Sequence, residues 1–252
     1  VEDRRCICRI PGPGTELLIN REQEKTVYDA VAPLEITEHV LYMNEKTGYK
    51  IADYYEGTRN ADSAVWDDME KCMSMVRCLH QSGITVAHSF DIRERISFYE
   101  KLCGSHVTLL FEDYEEVKRG MDWLMDTLDS MERPKCLCHI DANVDNFLFF
   151  EDGSVKLLDW EYAGMCDPVM DVSMCAIYSY YNEEDMERLF RLYLRREPSE
   201  DELFALYANA ALGGFLWCLW AVYKSFLGEE FGEYTIIMYR YAKKYYSKLR
   251  KL

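Results

Sequence analysis

The chain has 252 residues, 49% of them apolar, which excludes a disordered tail and leaves room for one large domain or two lobes around a sizeable core. Its formal charge of −16, from 45 acidic against 29 basic residues, argues against nucleic acid as a partner; any polyanionic ligand must be met by local cations or a metal. Ten cysteines are scattered mostly through apolar segments with no C-x-x-C pair, and no secretory leader pattern is seen, so reduced thiols in a cytoplasmic protein are expected.

In chain order, Cys6 to Ile10 alternates and reads as a strand carrying Arg9, followed by a turn at Pro11-Gly12-Pro13-Gly14. Asn20 to Ala32 has a helical pattern that carries Glu24. His39 to Met43 and Tyr49 to Tyr54 read as strands joined by Asn44 to Gly48, and Tyr55-Glu56-Gly57 reads as a hinge. Beyond it the pattern turns helical. Ser63 is the expected cap of a helix with Trp66, Met69, Met73, Val76 and Leu79 at helical spacing, stopping at Gly83. Glu112 to Met131 repeats that spacing through Val117, Met121, Leu124 and Leu128. Later helices are expected from Val169 to Tyr181, after an Asn182 cap, after a capping box at Ser199 to Glu202, and from Glu230 to Arg250. Leu203 to Tyr223 is long and apolar enough to cross a bilayer. It stands alone, however, behind an acidic flank and without a cluster of Lys or Arg, so a helix buried in a helical lobe is expected and a membrane span is not.

The chemistry concentrates between Cys136 and Asp171. His139-Ile140-Asp141 follows an apolar run, Asn146 opens the run Phe147 to Phe150, and Glu151-Asp152-Gly153-Ser154 favours a two-residue hairpin. Val155 to Leu158 then returns as a strand and delivers Asp159. A loop and a hairpin of this length bring Asp141, Asn146 and Asp159 together. Two carboxylates and an amide oxygen are hard donors that suit Mg²⁺ shared with phosphate oxygens. The order H-x-D-x-x-x-x-N followed by a strand-borne Asp is that of kinase phosphoryl transfer, with Asp141 as the base for an attacking hydroxyl and Asn146 and Asp159 on the metal. A lone H-x-D carries no such information; the ordered set does.

Downstream, Trp217 and Trp220 share a helical face near Tyr223, Phe231 and Tyr234 follow, and Trp160 and Tyr162 flank the second Asp. Aromatics at this spacing are ordinarily core. Beside a phosphotransferase site, Trp217, Trp220, Tyr162, Phe231 and Trp160 read as a cage for a quaternary ammonium ion, which cannot donate hydrogen bonds and is held by ring faces and nearby negative charge. Glu161 is the candidate for that charge, or for a contact behind the metal. His139 reads as a hydrogen-bonded loop residue, while His39, His80, His88 and His106 show no metal-binding spacing and read as structural.

HIDANVDNFLF followed by LLDWEYAGMCDPVMD resembles the choline/ethanolamine kinase family, a branch of the aminoglycoside-phosphotransferase-like proteins, and within it the bacterial choline kinases. RIPGPGTELLINREQE resembles the family's nucleotide-binding segment, and FLWCLWAVYKSFLGEEFGEY its choline pocket. The resemblance implies an α+β, protein-kinase-like two-lobe fold, with a strand-rich nucleotide-binding lobe at 1–56 and a helical lobe at 57–252. It implies ATP as co-substrate with Mg²⁺, Arg9 on the phosphates paired with Glu24, and backbone groups of Asp53, Tyr54 and Tyr55 at adenine. Asp171 would support the catalytic loop. The implied reaction is phosphorylation of choline, a small-molecule substrate, with ethanolamine or another amino alcohol such as an aminoglycoside as the alternative. The family also has two strands and a Gly-rich turn ahead of the strand that carries the basic residue, which the stretch from Val1 to Arg9 is too short to hold. A preceding segment is therefore expected; an inactive kinase-like binding module is the alternative.

Overall fold

The computed structural model describes residues 4–12 and 14–251, so Pro13 of the predicted turn lies outside the described residues. Three short strands, β1 (Cys6–Arg9), β2 (Val40–Met43) and β3 (Lys50–Asp53), form an antiparallel sheet in the order β1-β3-β2, with Arg9 opposite Lys50. Between β1 and β2 lie a one-turn helix α1 (Thr15–Leu18) and helix α2 (Arg21–Val31). Asn20 caps α2 by accepting the Gln23 N–H, and Glu24, Val27, Tyr28 and Val31 line its buried face at i, i+3, i+4 and i+7.

At Gly57 (φ 69°) the chain leaves this sheet and enters β4 (Arg59–Asn60). The described helical region then runs through α3 (Trp66–Gln81), α4 (Ile92–Cys103), α5 (His106–Leu110) and α6 (Tyr114–Ser130). Next come β5 (Cys136–Cys138), β6 (Phe147–Phe149), β7 (Val155–Leu157) and β8 (Gly164–Cys166), and then α7 (Val169–Tyr178), α8 (Glu183–Leu194), α9 (Glu200–Phe226) and α10 (Tyr234–Leu249). Two small antiparallel sheets, β4-β6-β7 and β5-β8, flank the loops that hold Asp141, Asn146 and Asp159.

Several local expectations need correction. Ser63 does not cap α3: the helix begins after Val65, and the Ser63 carbonyl instead accepts the Tyr181 hydroxyl. α4 is not among the helices expected from the sequence, although its signal is present. Asp91 accepts the Arg93 and Glu94 N–H groups at the N-terminus, and Ile96, Tyr99 and Cys103 form the buried stripe. The β6–β7 turn is not a two-residue hairpin. The Phe150 N–H bonds the Ser154 carbonyl at 3.0 Å, leaving a three-residue loop in which Gly153 takes the left-handed bulge position at φ 84°. α7 ends at Tyr178, before the left-handed Tyr180, and α10 starts only after Gly232 (φ 53°), four residues later than expected.

α9 is the core of the helical region and packs against α10, α7, α4 and α6. Its length and composition would suffice to cross a membrane, but 83% of its most apolar window is buried inside the fold. Close approach of its neighbours depends on a glycine pair. A Cβ on Gly213 would lie 2.7 Å from Met174 Sδ, and one on Gly214 would lie 2.6 Å from the Met238 carbonyl oxygen.

Candidate active site

The loop after β5 is held in a costly conformation. Ile140, a β-branched residue, sits at φ 73°, where strain is on the order of 1–3 kcal/mol. Asp171, in the first turn of α7, offsets that cost: its carboxylate accepts the His139 N–H at 2.8 Å and the Ile140 N–H at 2.6 Å. Burial works to raise the Asp171 pKa, but the His80 imidazole, 2.9 Å away, and the two loop amides outweigh it and hold the group below the usual carboxylate range. His139 itself is a hydrogen-bonded loop residue. Its Nε2 lies 2.8 Å from the Leu158 carbonyl, and its ring meets Trp160 edge-on.

This clamp presents Asp141. The Asn146 amide nitrogen donates to the Asp141 carbonyl (2.8 Å) and carboxylate (3.0 Å), Asn143 donates to the other carboxylate oxygen, and the Tyr178 hydroxyl is near enough to favour the charged form of the same group. Burial nevertheless raises the Asp141 pKa. With its amide nitrogen committed, Asn146 has Oδ1 free to turn to the cleft. A backbone bond of 2.8 Å from Leu158 to Asn146 sets Asp159 beside it, and the Asp159 side chain is 39% exposed. Asn146 and Asp159 line one cleft of about 350 Å³, and their oxygens are the hard donor set that Mg²⁺ takes.

Opposite them, Arg9 Nη1 lies 2.6 Å from Glu24 and 3.0 Å from Asp159. Its Nε and Nη2 are buried with no partner among the described residues, which leaves guanidinium donors for an anion. Arg21 was missed in the sequence although it stands three residues before Glu24 on the same helix. It bridges Glu24 at 2.7 Å and Glu161 at 3.1 Å. Burial and the neighbouring Asp159 charge push the Glu161 carboxyl up to about 7, against the pull of Arg21 and Arg9.

Tyr54 and Tyr55 line the same cleft together with Ile7, Leu148 and Leu158. Asp53 lines this cleft too. Its N–H is spent on the His39 carbonyl within the sheet, and its carboxylate binds Arg4 and His39. The Tyr54 N–H likewise goes to the Arg5 carbonyl.

On the other side of Asp141 the aromatics gather. Tyr162 and Tyr178 both contact Trp217 (5.3 and 5.9 Å between centroids), Trp217 meets Trp220 at 5.9 Å, Trp220 meets Phe231 at 4.9 Å, and Phe231 meets Tyr234 at 6.3 Å. Tyr178 is the member the sequence did not announce, although it stands two turns after Asp171 on α7. Trp160 does not belong to this group. It is fully buried, and its indole N–H donates to Thr37 Oγ1 and the Leu157 carbonyl, so it is core packing beneath the loop.

The family model for the phosphotransferase enzyme family matches residues 1–211 of this chain. Protein LicA of Haemophilus influenzae is 25% identical over 243 residues, covering 91% of this chain and 70% of that protein. Ethanolamine kinase 2 of Homo sapiens is 24% identical over 271 residues, covering 92% and 67% respectively. The crystal structure of choline kinase LicA from Streptococcus pneumoniae superposes with a TM-score of 0.88 at 27% identity, over 98% of this chain and 88% of that one. A LicA structure in complex with AMP gives 0.87, also at 27% identity, over 98% and 86%.

Proposed function

The chain belongs to the phosphotransferase enzyme family, and on that premise we propose that it is an ATP-dependent choline kinase, transferring the γ-phosphate of ATP to the choline hydroxyl. One observation carries the reading. Asp141 is hydrogen-bonded by Asn146, which lines the cleft, and is also influenced by the hydroxyl of Tyr178, which belongs to the aromatic group. A substrate whose cation rests among the rings therefore has its hydroxyl beside a carboxylate that borders the nucleotide space.

In this reading Asp141 orients the choline hydroxyl and accepts its proton as the oxygen attacks phosphorus, a contribution on the order of 10²- to 10⁴-fold. Arg9, fixed by Glu24, offers its unpartnered nitrogens to the ATP phosphates. Asn146 Oδ1 and the Asp159 carboxylate would hold Mg²⁺, which supplies positive charge to the phosphate oxygens when bound. Tyr54 and Tyr55 flank the adenine end. Trp217, Trp220, Tyr162, Phe231, Tyr178 and Tyr234 exclude water from the trimethylammonium group, each well-placed ring contributing about 0.5–2 kcal/mol. Glu161 supports Arg21 behind the phosphate-binding arginine. Residues 1–56 would form the nucleotide-binding lobe, residues 57–252 the lobe of the catalytic loop and cage, and the cytoplasm, where ATP is available, the place of action.

The test is ADP release with Mg·ATP against choline, ethanolamine and one aminoglycoside. The reading expects the highest kcat/KM with choline. A higher value with ethanolamine would reassign the acceptor, and no turnover with any acceptor by folded protein would leave a kinase-like binding module.

A further inference from the structure

A second group of ligating side chains lies behind the catalytic loop, and phosphoryl transfer does not use it. Cys136 and Cys138 are two apart on β5, so both thiols leave the same face of the strand, and their sulfurs stand 3.8 Å apart. His80, near the end of α3, completes the group: one ligand atom from each of the three lies within 4.8 Å of the others. No motif announces the group, because its ligands come from two elements more than fifty residues apart and the cysteines form C-x-C instead of C-x-x-C.

We propose that His80, Cys136 and Cys138 form a binding site for a thiophilic divalent cation of the Zn²⁺ type. Two thiolates on a tetrahedral zinc at ~2.3 Å have their sulfurs about 3.8 Å apart, which is the separation already present. The imidazole is anchored at one nitrogen, and the other would give up a hydroxyl partner to bind a cation. Its Nε2 is held 2.9 Å from the Asp171 carboxylate, and its Nδ1 meets only the Tyr193 hydroxyl, also at 2.9 Å. With Nδ1 turned to the metal, Asp171, His80 and the cation form the carboxylate–imidazole–metal relay that fixes the ring in many metal sites. Binding forms two metal–sulfur bonds and one metal–nitrogen bond, releases the two thiol protons and any proton carried on Nδ1 to solvent, and leaves the imidazole neutral; no electrons are transferred. Cys136 is half-buried and gives the entry path, while Cys138 and the His80 ring are enclosed. The site ties α3 to β5 and so braces Asp171, the residue that clamps the catalytic loop.

The probe is Cd²⁺ titrated into reduced, chelator-treated full chain, read by the ultraviolet sulfur-to-cadmium charge-transfer band, with the Cys6→Ser/Cys8→Ser variant as control because those two exposed thiols also form a C-x-C pair. The band should appear, persist in that control and be lost in Cys136→Ser. In the unmodified chain, which removes any question of variant folding, Zn²⁺ should slow alkylation of Cys136 while exposed Cys78 stays reactive. No band, a band undiminished in Cys136→Ser, a band lost in the control, or Cys136 alkylated at the same rate with and without Zn²⁺ would each overturn the proposal.

Discussion

The carboxylate of Asp171 accepts the backbone N–H of His139 at 2.8 Å across 32 residues of chain, and through this contact an α-helix dictates the shape of the loop that presents Asp141. The same carboxylate takes the N–H of left-handed Ile140 and pairs with His80. Asp171→Ala leaves these donors buried without an acceptor. It should lower unfolding free energy by about 3 kcal/mol in denaturant titration and reduce kcat through the misplaced base. Unchanged kcat in the folded variant would separate the clamp from catalysis.

Asp141 should control the acid side of the pH profile. Burial raises its pKa, while His139, the Tyr178 hydroxyl and the Asn143 amide act in the opposite direction. A protonated carboxyl cannot accept the substrate proton, so kcat should fall as pH drops through a value above the ordinary ~3.9 of an aspartate. Tyr178→Phe removes one of the lowering influences, and the acid limb of kcat should move to higher pH. A limb that stays in place would assign Tyr178 to packing alone.

The rings divide by exposure and partner. Trp220 is partly exposed and contacts Trp217 and Phe231, so Trp220→Ala should raise the choline KM about tenfold, within the 0.5–2 kcal/mol of a cation–ring contact, and leave the ATP KM unchanged. Trp160→Phe should do the reverse. Losing the bonds to Thr37 and Leu157 should destabilise the fold by about 1 kcal/mol with both KM values intact.

The glycine pair of α9 offers a stability test far from the chemistry. A methyl at Gly214 meets a backbone carbonyl that cannot swing aside, so Gly214→Ala should cost about 1–3 kcal/mol by overpacking. At Gly213 the opposing atom is the sulfur of Met174, on a flexible side chain, and Gly213→Ala should cost less. The denaturant midpoints of the two variants measure the difference.

The site was legible in the sequence where its parts are close in the chain. His139, Asp141, Asn146 and Asp159 span a loop and one hairpin, so their spacing constrains their geometry. Glu24 could be placed by helical pattern, yet Arg21, one turn earlier, was passed over because nothing in the helix says which of its charges turns inward. Tyr178 and the His80–Cys136–Cys138 group were invisible for a related reason, since each depends on packing between elements distant in sequence. Trp160 misled because proximity to Asp159 in the chain suggested proximity to substrate, whereas β7 ends at Leu157, Asp159 turns through φ 63°, and the indole N–H finds the buried Thr37 hydroxyl. Helix ends were less readable than helix faces. Ser63 offered a good capping side chain, but Tyr181 of a later segment holds its carbonyl.

The central claim is that this cleft joins ATP to a methylated amino alcohol through Asp141. It is tested most directly by phosphorus NMR of the protein with Mg·ATP and choline, run beside the Asp141→Asn variant. Stoichiometric phosphocholine and ADP are expected from the unmodified chain, and neither above background from the variant. Phosphocholine formed at equal rates by both would contradict the role of Asp141, and none formed by the folded, unmodified chain would contradict the assigned reaction.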